Sequence, residues 1–470
     1  MATPSEKLAE SLEALHHLQK EGVIVIQPTT LARTHRERLI KNGYLQSVMK
    51  GWYIPTSPND TPGDSTGWYA SYWNFCSEYL NARFGDDWCI SPEQSISLLA
   101  GNWTVPTQLL VRSSKANNNM TALPHNTSLY DARLKMPNKS QIIIKSGIRM
   151  FSAASALVLC SPEAFTKQSI DIRALISSEP DASAILNDLL EEGKSVVAGR
   201  LAGAFRTCGR EKFANEIIDT MKIAGYDVRE SNPFKQPIKP ILSHREQSPH
   251  VNRMKVIWDS MRQEIIDIFP PPKQKIKSQI KYLKMVDDVY VNDAYHSLSI
   301  EGYRVSPELI ERVRSGQWNP DRHLSDMEQR NALAARGYWL AFQNVKKSLE
   351  RILNHENPGT VVYENHGSWY KALFEPCVTA GILIPSDFAG YRRTQVYIRH
   401  SMHVPPSTEA TRELMPAFFE LLKNEDNAAV RIVLGHFFFV NIHPYMDGNG
   451  RIGRFLMNVM FASGNYPWVV

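Results

Sequence analysis

Near its carboxyl end the chain gathers a base, a carboxylate, a glycine turn and two arginines into His443-Pro444-Tyr445-Met446-Asp447-Gly448-Asn449-Gly450-Arg451-Ile452-Gly453-Arg454. Gly448 and Gly450 allow a turn whose N–H groups point inward, and a helix starting there would present them to phosphate oxygens. Arg451 and Arg454 lie on one face of that helix's first turn, and each can fork onto further phosphates. Asp447 is placed to hold Mg²⁺ against a polyphosphate, because a hard cation that keeps several waters needs only one protein carboxylate. His443 stands just before the turn, and an imidazole is suited to taking a proton from a hydroxyl near neutral pH. Together these groups describe phosphoryl or nucleotidyl transfer.

Gly448-x-Gly450-x-x-Gly453 also spells the dinucleotide-binding fingerprint, which requires a following helix, a second strand and an acidic residue about 20 positions on. Asp447 is the last carboxylate side chain in the sequence, and no second strand follows before Val470, so that reading fails. The glycines are not followed by Lys-Ser/Thr either, which excludes a P-loop.

Three stretches must position this loop. Val430–Ile442 before it and Phe455–Ala462 after it are apolar, so a polar loop sits between two buried segments. His436 lies in the first of these and reads as a core residue. In Ser297-Leu298-Ser299-Ile300-Glu301-Gly302, Ser297 and Glu301 share a helix face and Gly302 is placed to end the helix. Gly390-Tyr391-Arg392-Arg393-Thr394-Gln395-Val396-Tyr397-Ile398-Arg399, closing at Pro405-Pro406, reads as an edge hairpin.

The 470 residues suffice for two to four domains, and the composition is that of a soluble globular protein. There is no apolar run long enough for a membrane span and no signal peptide at the start, which points to a cytoplasmic location without membrane contact. Five scattered cysteines with no CxxC pair fit reduced thiols. A formal net charge of +5 permits nucleic-acid contact without demanding it.

The expected architecture is multidomain. Residues 1–57 form a small unit: a helix carrying Leu8, Leu12, Leu15 and Leu18 and ended by Gly22, a basic helix Leu31–Lys41 capped by Thr29 or Thr30, and a hairpin turning at Lys50-Gly51. That order matches a winged helix-turn-helix, in which Arg33, Arg36, Arg38 and Lys41 would approach phosphates and Lys50 would sit on the wing. A protein-binding module with a solvated basic face is the open alternative. Ser57–Gly67 and Pro237–Gln247 are linkers by composition. Between them, residues 68–240 read as mixed α/β: an aromatic helix Trp68–Phe84, strands at Gln108–Arg112 and Gln141–Lys145, and helices at Ser183–Glu192 and Phe213–Ala224. Their Trp and Tyr residues read as core, with no constellation that carries chemistry. Residues 250–470 are mainly helical, with helices at Lys273–Tyr290, Leu324–Leu349 and Trp369–Ala380.

His443–Arg454 closely resembles the motif of the Fic family, His-x-Phe-x-Asp/Glu-Gly-Asn-Gly-Arg-x-x-Arg, with Tyr445 in place of the usual Phe. The resemblance covers roughly residues 250–470 and implies a mainly α-helical domain with a β-hairpin flap. It implies transfer of AMP from ATP to a Ser, Thr or Tyr hydroxyl of a protein target, including the chain itself. His443 would be the base and Asp447 the Mg²⁺ ligand. Gly448, Asn449, Gly450, Arg451 and Arg454 would hold the nucleotide's phosphates. Ser297, Glu301 and Gly302, at the end of a helix around 287–302, resemble the family's inhibitory motif, with Glu301 taking Arg454 from the γ-phosphate. Thr394, Gln395, Val396, Tyr397 and Ile398 would be the flap that clamps the target by strand addition. The family usually continues with more helix beyond the position of Val470, so the chain reads as cut short.

The first sixty residues, with Gly199-Arg200-Leu201-Ala202-Gly203-Ala204-Phe205-Arg206, resemble AbiEi-like antitoxin modules fused to bacterial Fic proteins. That resemblance implies DNA binding through residues 5–57. Another nucleotide donor, removal of AMP, or a mainly DNA-binding regulator of toxin–antitoxin type are the open alternatives.

Overall fold

The structure is a computed structural model that describes residues 3–58, 63–191, 193–235, 248–273, 276, 278–317 and 329–470. It is mainly helical with small sheets, and it divides into two compact units, each described by itself. The Pro237–Gln247 linker lies outside the described residues, as does part of the first linker. No described helix is long and apolar enough to cross a membrane.

The first unit comprises residues 1–253 and 397–405. Its opening helix, Pro4–Lys20, starts with a capping box: Thr3 Oγ1 accepts from Glu6 N and Glu6 Oε2 accepts from Thr3 N. Leu15 is its buried leucine, and Gly22 follows at φ +82°. The second helix is Arg33–Lys41, with Ala32 at the N-cap and no side-chain cap, so the expected threonine cap is absent. Instead, an Arg36 nitrogen donates to the carbonyls of Pro28 and Leu31 and holds the preceding turn from within the helix. Leu45–Met49 and Trp52–Pro55 form the expected antiparallel hairpin, turning at Lys50-Gly51, and Ile26 bridges to Tyr53.

Beyond it, the helix Thr66–Phe84 buries Trp68, Tyr72, Trp73 and Phe75 in one aromatic core. Cys89–Ile90, Gln108–Ser113, Thr127–Arg133 and Asn119–Leu123 lie in that order in a four-stranded sheet, the middle pair parallel. Ile142–Lys145 pairs with Ile148–Phe151. A second core is helical. In the helix Ser195–Thr207, a Cβ at Gly199 or Gly203 would collide with the carbonyls of Arg229 and Ser231, so these glycines let the following chain lie directly on the helix. Ser231 N donates to Gly199 O at 3.1 Å across that contact. Four of the five thiols are buried, and none is in a disulfide.

Residues 397–405 also belong to this unit. Val105 N donates to Met402 O, His400 N donates to Thr66 Oγ1, and Asp64 faces Arg399 and His400.

The second unit comprises residues 254–396 and 406–470 and is helical. Gln329–Leu353 and Pro358–Thr379, joined by a short loop, form a close helical pair in which Gly337 faces the Leu373 carbonyl with no room for a Cβ. Thr408–Asn424, Ala428–Ile442 and Asn449–Ser463 follow. The helix expected at Lys273–Tyr290 starts at Gln279, capped by Ser278, and runs to Ile300. That expected over Leu324–Leu349 is described from Gln329, its first residues lying outside the described range.

The predicted flap is not a hairpin. Residues 390–406 contain no strand, because the two arms spend their main-chain groups elsewhere: Arg392 N on Pro444 O, and Met402 O on Val105 N.

Candidate active site

The helix Ala428–Ile442 ends on His443, which adopts a left-handed conformation at φ +53°, ψ +59°. Such a backbone costs a non-glycine residue about 1–2 kcal/mol and turns the chain sharply out of the helix. The His443 ring is half-buried, and its Nδ1 lies 3.0 Å from Val440 O. Donation to that carbonyl selects the tautomer with its lone pair on Nε2, the atom that can take a proton.

After His443 the loop plugs itself into the core with Tyr445. That ring is 2% exposed and stacks on Tyr370 at 3.7 Å between centroids. Tyr in place of Phe therefore keeps the apolar anchor. Asn449 clamps the same residue from the other side: its Oδ1 accepts from Tyr445 N at 2.9 Å and its Nδ2 donates to Tyr445 O at 2.8 Å. The Asn449 side chain is thus a brace across the loop.

Gly448, at φ +76°, is the N-cap of the helix Asn449–Ser463. Its left-handed turn leaves the N–H groups of the first helical turn without acceptors inside the helix, which makes that end an anion site. Asp447 lies at the mouth with its side chain 59% exposed, Oδ1 accepting from Gly448 N and Oδ2 from Arg451 at 3.2 Å. No group of three or more metal-ligating side chains exists among the described residues. One exposed carboxylate fits a hard cation that takes its other ligands from phosphate and water, and does not fit a fully protein-caged metal.

The two arginines differ in placement. Arg451 is 1% exposed, flanked by the rings of Tyr303 at 5.4 Å and Phe374 at 5.1 Å. Arg454 reaches across to the helix Gln279–Ile300: Nε donates to Ser297 Oγ at 2.9 Å, and one terminal nitrogen donates to Ser297 O and to Glu301 Oε1 at 2.7 Å. Glu301 is the C-cap of that helix, and Gly302 follows at φ +82°, ending it as its position predicts. A Cβ on Gly450 would stand 2.5 Å from Glu301 Oε1, so the absence of a side chain there lets the carboxylate lie on the loop. Upstream, Asp293 is buried and accepts from Tyr338 Oη and Trp468 Nε1, which tie the helix to the core. Burial raises the Asp293 pKa.

Residues 367–461 match the Fic/DOC family. This stretch is a Fic domain. Similar curated proteins bear the name protein adenylyltransferase Fic. One from Nematostella vectensis is 25% identical over 217 residues, 44% of this chain and 47% of the relative. One from Culex quinquefasciatus is 30% identical over 188 residues, 39% of this chain and 34% of the relative. One from Drosophila yakuba is 37% identical over 187 residues, with the same shares. The chain therefore spans less than half the length of these relatives.

Around the Fic domain's loop the structure adds a residue that sequence reading missed. Arg392 is 2% exposed, while its neighbour Arg393 is exposed. Its Nε donates to His443 O at 2.9 Å, and its terminal nitrogens donate to Thr394 O, Pro406 O and Thr411 Oγ1. Nothing in Tyr-Arg-Arg tells which arginine turns inward. Of the expected flap residues, Thr394, Gln395 and Tyr397 are exposed and Val396 and Ile398 half-buried, without regular secondary structure; Thr394 Oγ1 donates to Met446 Sδ. His436 is tied to Gly453 O, as befits a structural residue.

The candidate DNA-contacting residues lie in the other unit. Arg36 holds carbonyls, Arg38 donates to Lys7 O and Ser11 Oγ, and Arg33 pairs with Glu37. Lys41 and Lys50 are exposed.

Proposed function

We propose that the Fic domain transfers AMP from ATP to a hydroxyl of a protein target and that Glu301 restrains it. What supports this reading above all is the placement of Glu301, whose carboxylate lies on Arg454 and against Gly450, where a polyphosphate would have to sit. A carboxylate there is an anion in an anion site.

In the transfer, His443 Nε2 takes the proton of a Ser, Thr or Tyr hydroxyl as that oxygen attacks the α-phosphorus of ATP. The oxygen–phosphorus bond forms as the bond to pyrophosphate breaks, so AMP stays on the target and pyrophosphate leaves. The first-turn N–H groups at Asn449 and Gly450 and the Arg451 guanidinium would meet phosphate charge, and Arg454 would join them once Glu301 withdraws. Asp447 would hold Mg²⁺, which neutralises phosphate charge and favours departure of pyrophosphate. Tyr445 and Asn449 keep the loop in place. Thr394–Val396, of which Thr394 touches Met446 in the loop, would meet the target there.

Intact mass after incubation of the Glu301→Gly chain with ATP, Mg²⁺ and a candidate target tests the reaction. Gain of one AMP on the target or on the chain supports it, and no adduct under any condition argues against it. A second reading rests on the same carboxylate: Glu301, which lies against Gly450, would orient a water for removal of AMP, which an AMP-modified substrate protein would reveal.

A further inference from the structure

We propose that Arg392 is the positioning residue that holds His443 in its left-handed backbone conformation and thereby aims the imidazole at the acceptor hydroxyl. The inference rests on His443 being the base of the proposed transfer.

Two local preferences oppose the backbone of His443. A side chain with a Cβ disfavours φ +53°. The residue before a proline is pushed toward extended conformations, and Pro444 follows. Helices that end in this way usually place glycine or asparagine at the turn. Here the position must carry the imidazole, so glycine's freedom is unavailable and the conformation has to be held from outside.

Arg392 grips it at two successive peptides. Its Nε donates to His443 O at 2.9 Å and its main-chain N–H donates to Pro444 O at 2.8 Å. These bonds fix the peptide planes on either side of Pro444 and with them the direction in which His443 leaves its helix. The same guanidinium reaches Thr394 O at 3.1 Å, Thr411 Oγ1 at 2.9 Å and Pro406 O. One rigid fork therefore ties the catalytic loop to both ends of the flap segment and to the helix Thr408–Asn424. A planar guanidinium can serve several acceptors at fixed angles, which a lysine ammonium on a flexible stem cannot. The bond from His443 Nδ1 to Val440 O depends on the same backbone turn. Loss of Arg392 would free the ring to change direction and tautomer.

The test uses the full chain carrying Glu301→Gly as parent, with Arg392→Met, Arg392→Lys and Thr411→Val made in it. Thr411→Val removes another acceptor of the same guanidinium without touching His443. Two readouts are taken: kcat and KM for ATP in AMP transfer, and the ¹⁵N shifts of the His443 ring, assigned by their loss in His443→Ala. The expected result for Arg392→Met is a kcat lower by about 10²-fold with KM for ATP little changed. Its ring shifts should move from a single Nδ1–H tautomer to a mixture. Arg392→Lys should fall between, and Thr411→Val should keep the parent's tautomer and most of its kcat. A parental tautomer in Arg392→Met overturns the proposal, as does an equal effect of Thr411→Val on both readouts. If Arg392→Met does not fold, Arg392→Lys against Thr411→Val decides on the same criteria. A parent that transfers no AMP sinks the functional reading, while the ring shifts still judge the positioning role.

Discussion

Glu301 and Arg454, 153 positions apart, meet through a 2.7 Å charge-assisted hydrogen bond beside Gly450. Both side chains are largely withdrawn from solvent, at 23% and 22% exposure, so the pair is less screened than a surface ion pair. Ser297 adds its hydroxyl and carbonyl to the same guanidinium. Arg454 is thereby engaged within the chain.

Removing the carboxylate should therefore release the site. Glu301→Gly should raise AMP transfer by about tenfold or more, the equivalent of one charge-assisted bond in competition with ATP. Labelled-ATP transfer, wild type against variant, measures this; equal rates would mean that the contact does not restrain.

His443→Ala in that background should abolish transfer and leave nucleotide affinity nearly intact, because a general base acts on the acceptor hydroxyl and not on the phosphates. The expected loss is about 10²–10⁴-fold in rate, the range for a general base. Isothermal titration with ATP and Mg²⁺, set beside the labelling assay, separates binding from chemistry.

Asn449→Ala should damage stability and activity together. It strips the buried main-chain N–H and carbonyl of Tyr445 of their partners, a loss of about 1–3 kcal/mol by thermal or denaturant unfolding. A variant that lost activity at unchanged stability would show that the side chain contacts substrate instead.

Acid should weaken the second unit through His366. This ring is 7% exposed, lies against Val362 O and Tyr363 O, and shares a hydrogen bond with Tyr391 Oη. Burial lowers its pKa, so the folded state favours the neutral ring. The unfolded chain binds the proton near pH 6.5, hence the contribution is present above about pH 6.5 and is lost as pH falls below it. The slope is at most about 1.4 kcal/mol per pH unit. Melting curves from pH 7.5 to 5 should fall more steeply for wild type than for His366→Gln.

The sequence by itself determined what lies within a few residues of each functional group. The left-handed turns at Gly302 and Gly448, the helix starting at Asn449 and the hairpin at Lys50-Gly51 all follow from local spacing and backbone preference. The chemistry of the loop was legible for the same reason: base, carboxylate and nest are contiguous. The tertiary structure decided what depends on acceptors brought from afar. Arg392 turns inward and Arg393 outward because carbonyls of residues 406 and 443 converge on one of them only. Arg36 and Arg38 look alike in a helical pattern, yet each is drawn to carbonyls from a different stretch, Pro28 and Leu31 for one and Lys7 for the other. Asn449 spends its amide on Tyr445, and the predicted hairpin at 390–406 is absent because its arms bond elsewhere. A buried polar group must find its partner wherever the fold supplies one, and sequence spacing alone does not say where that is.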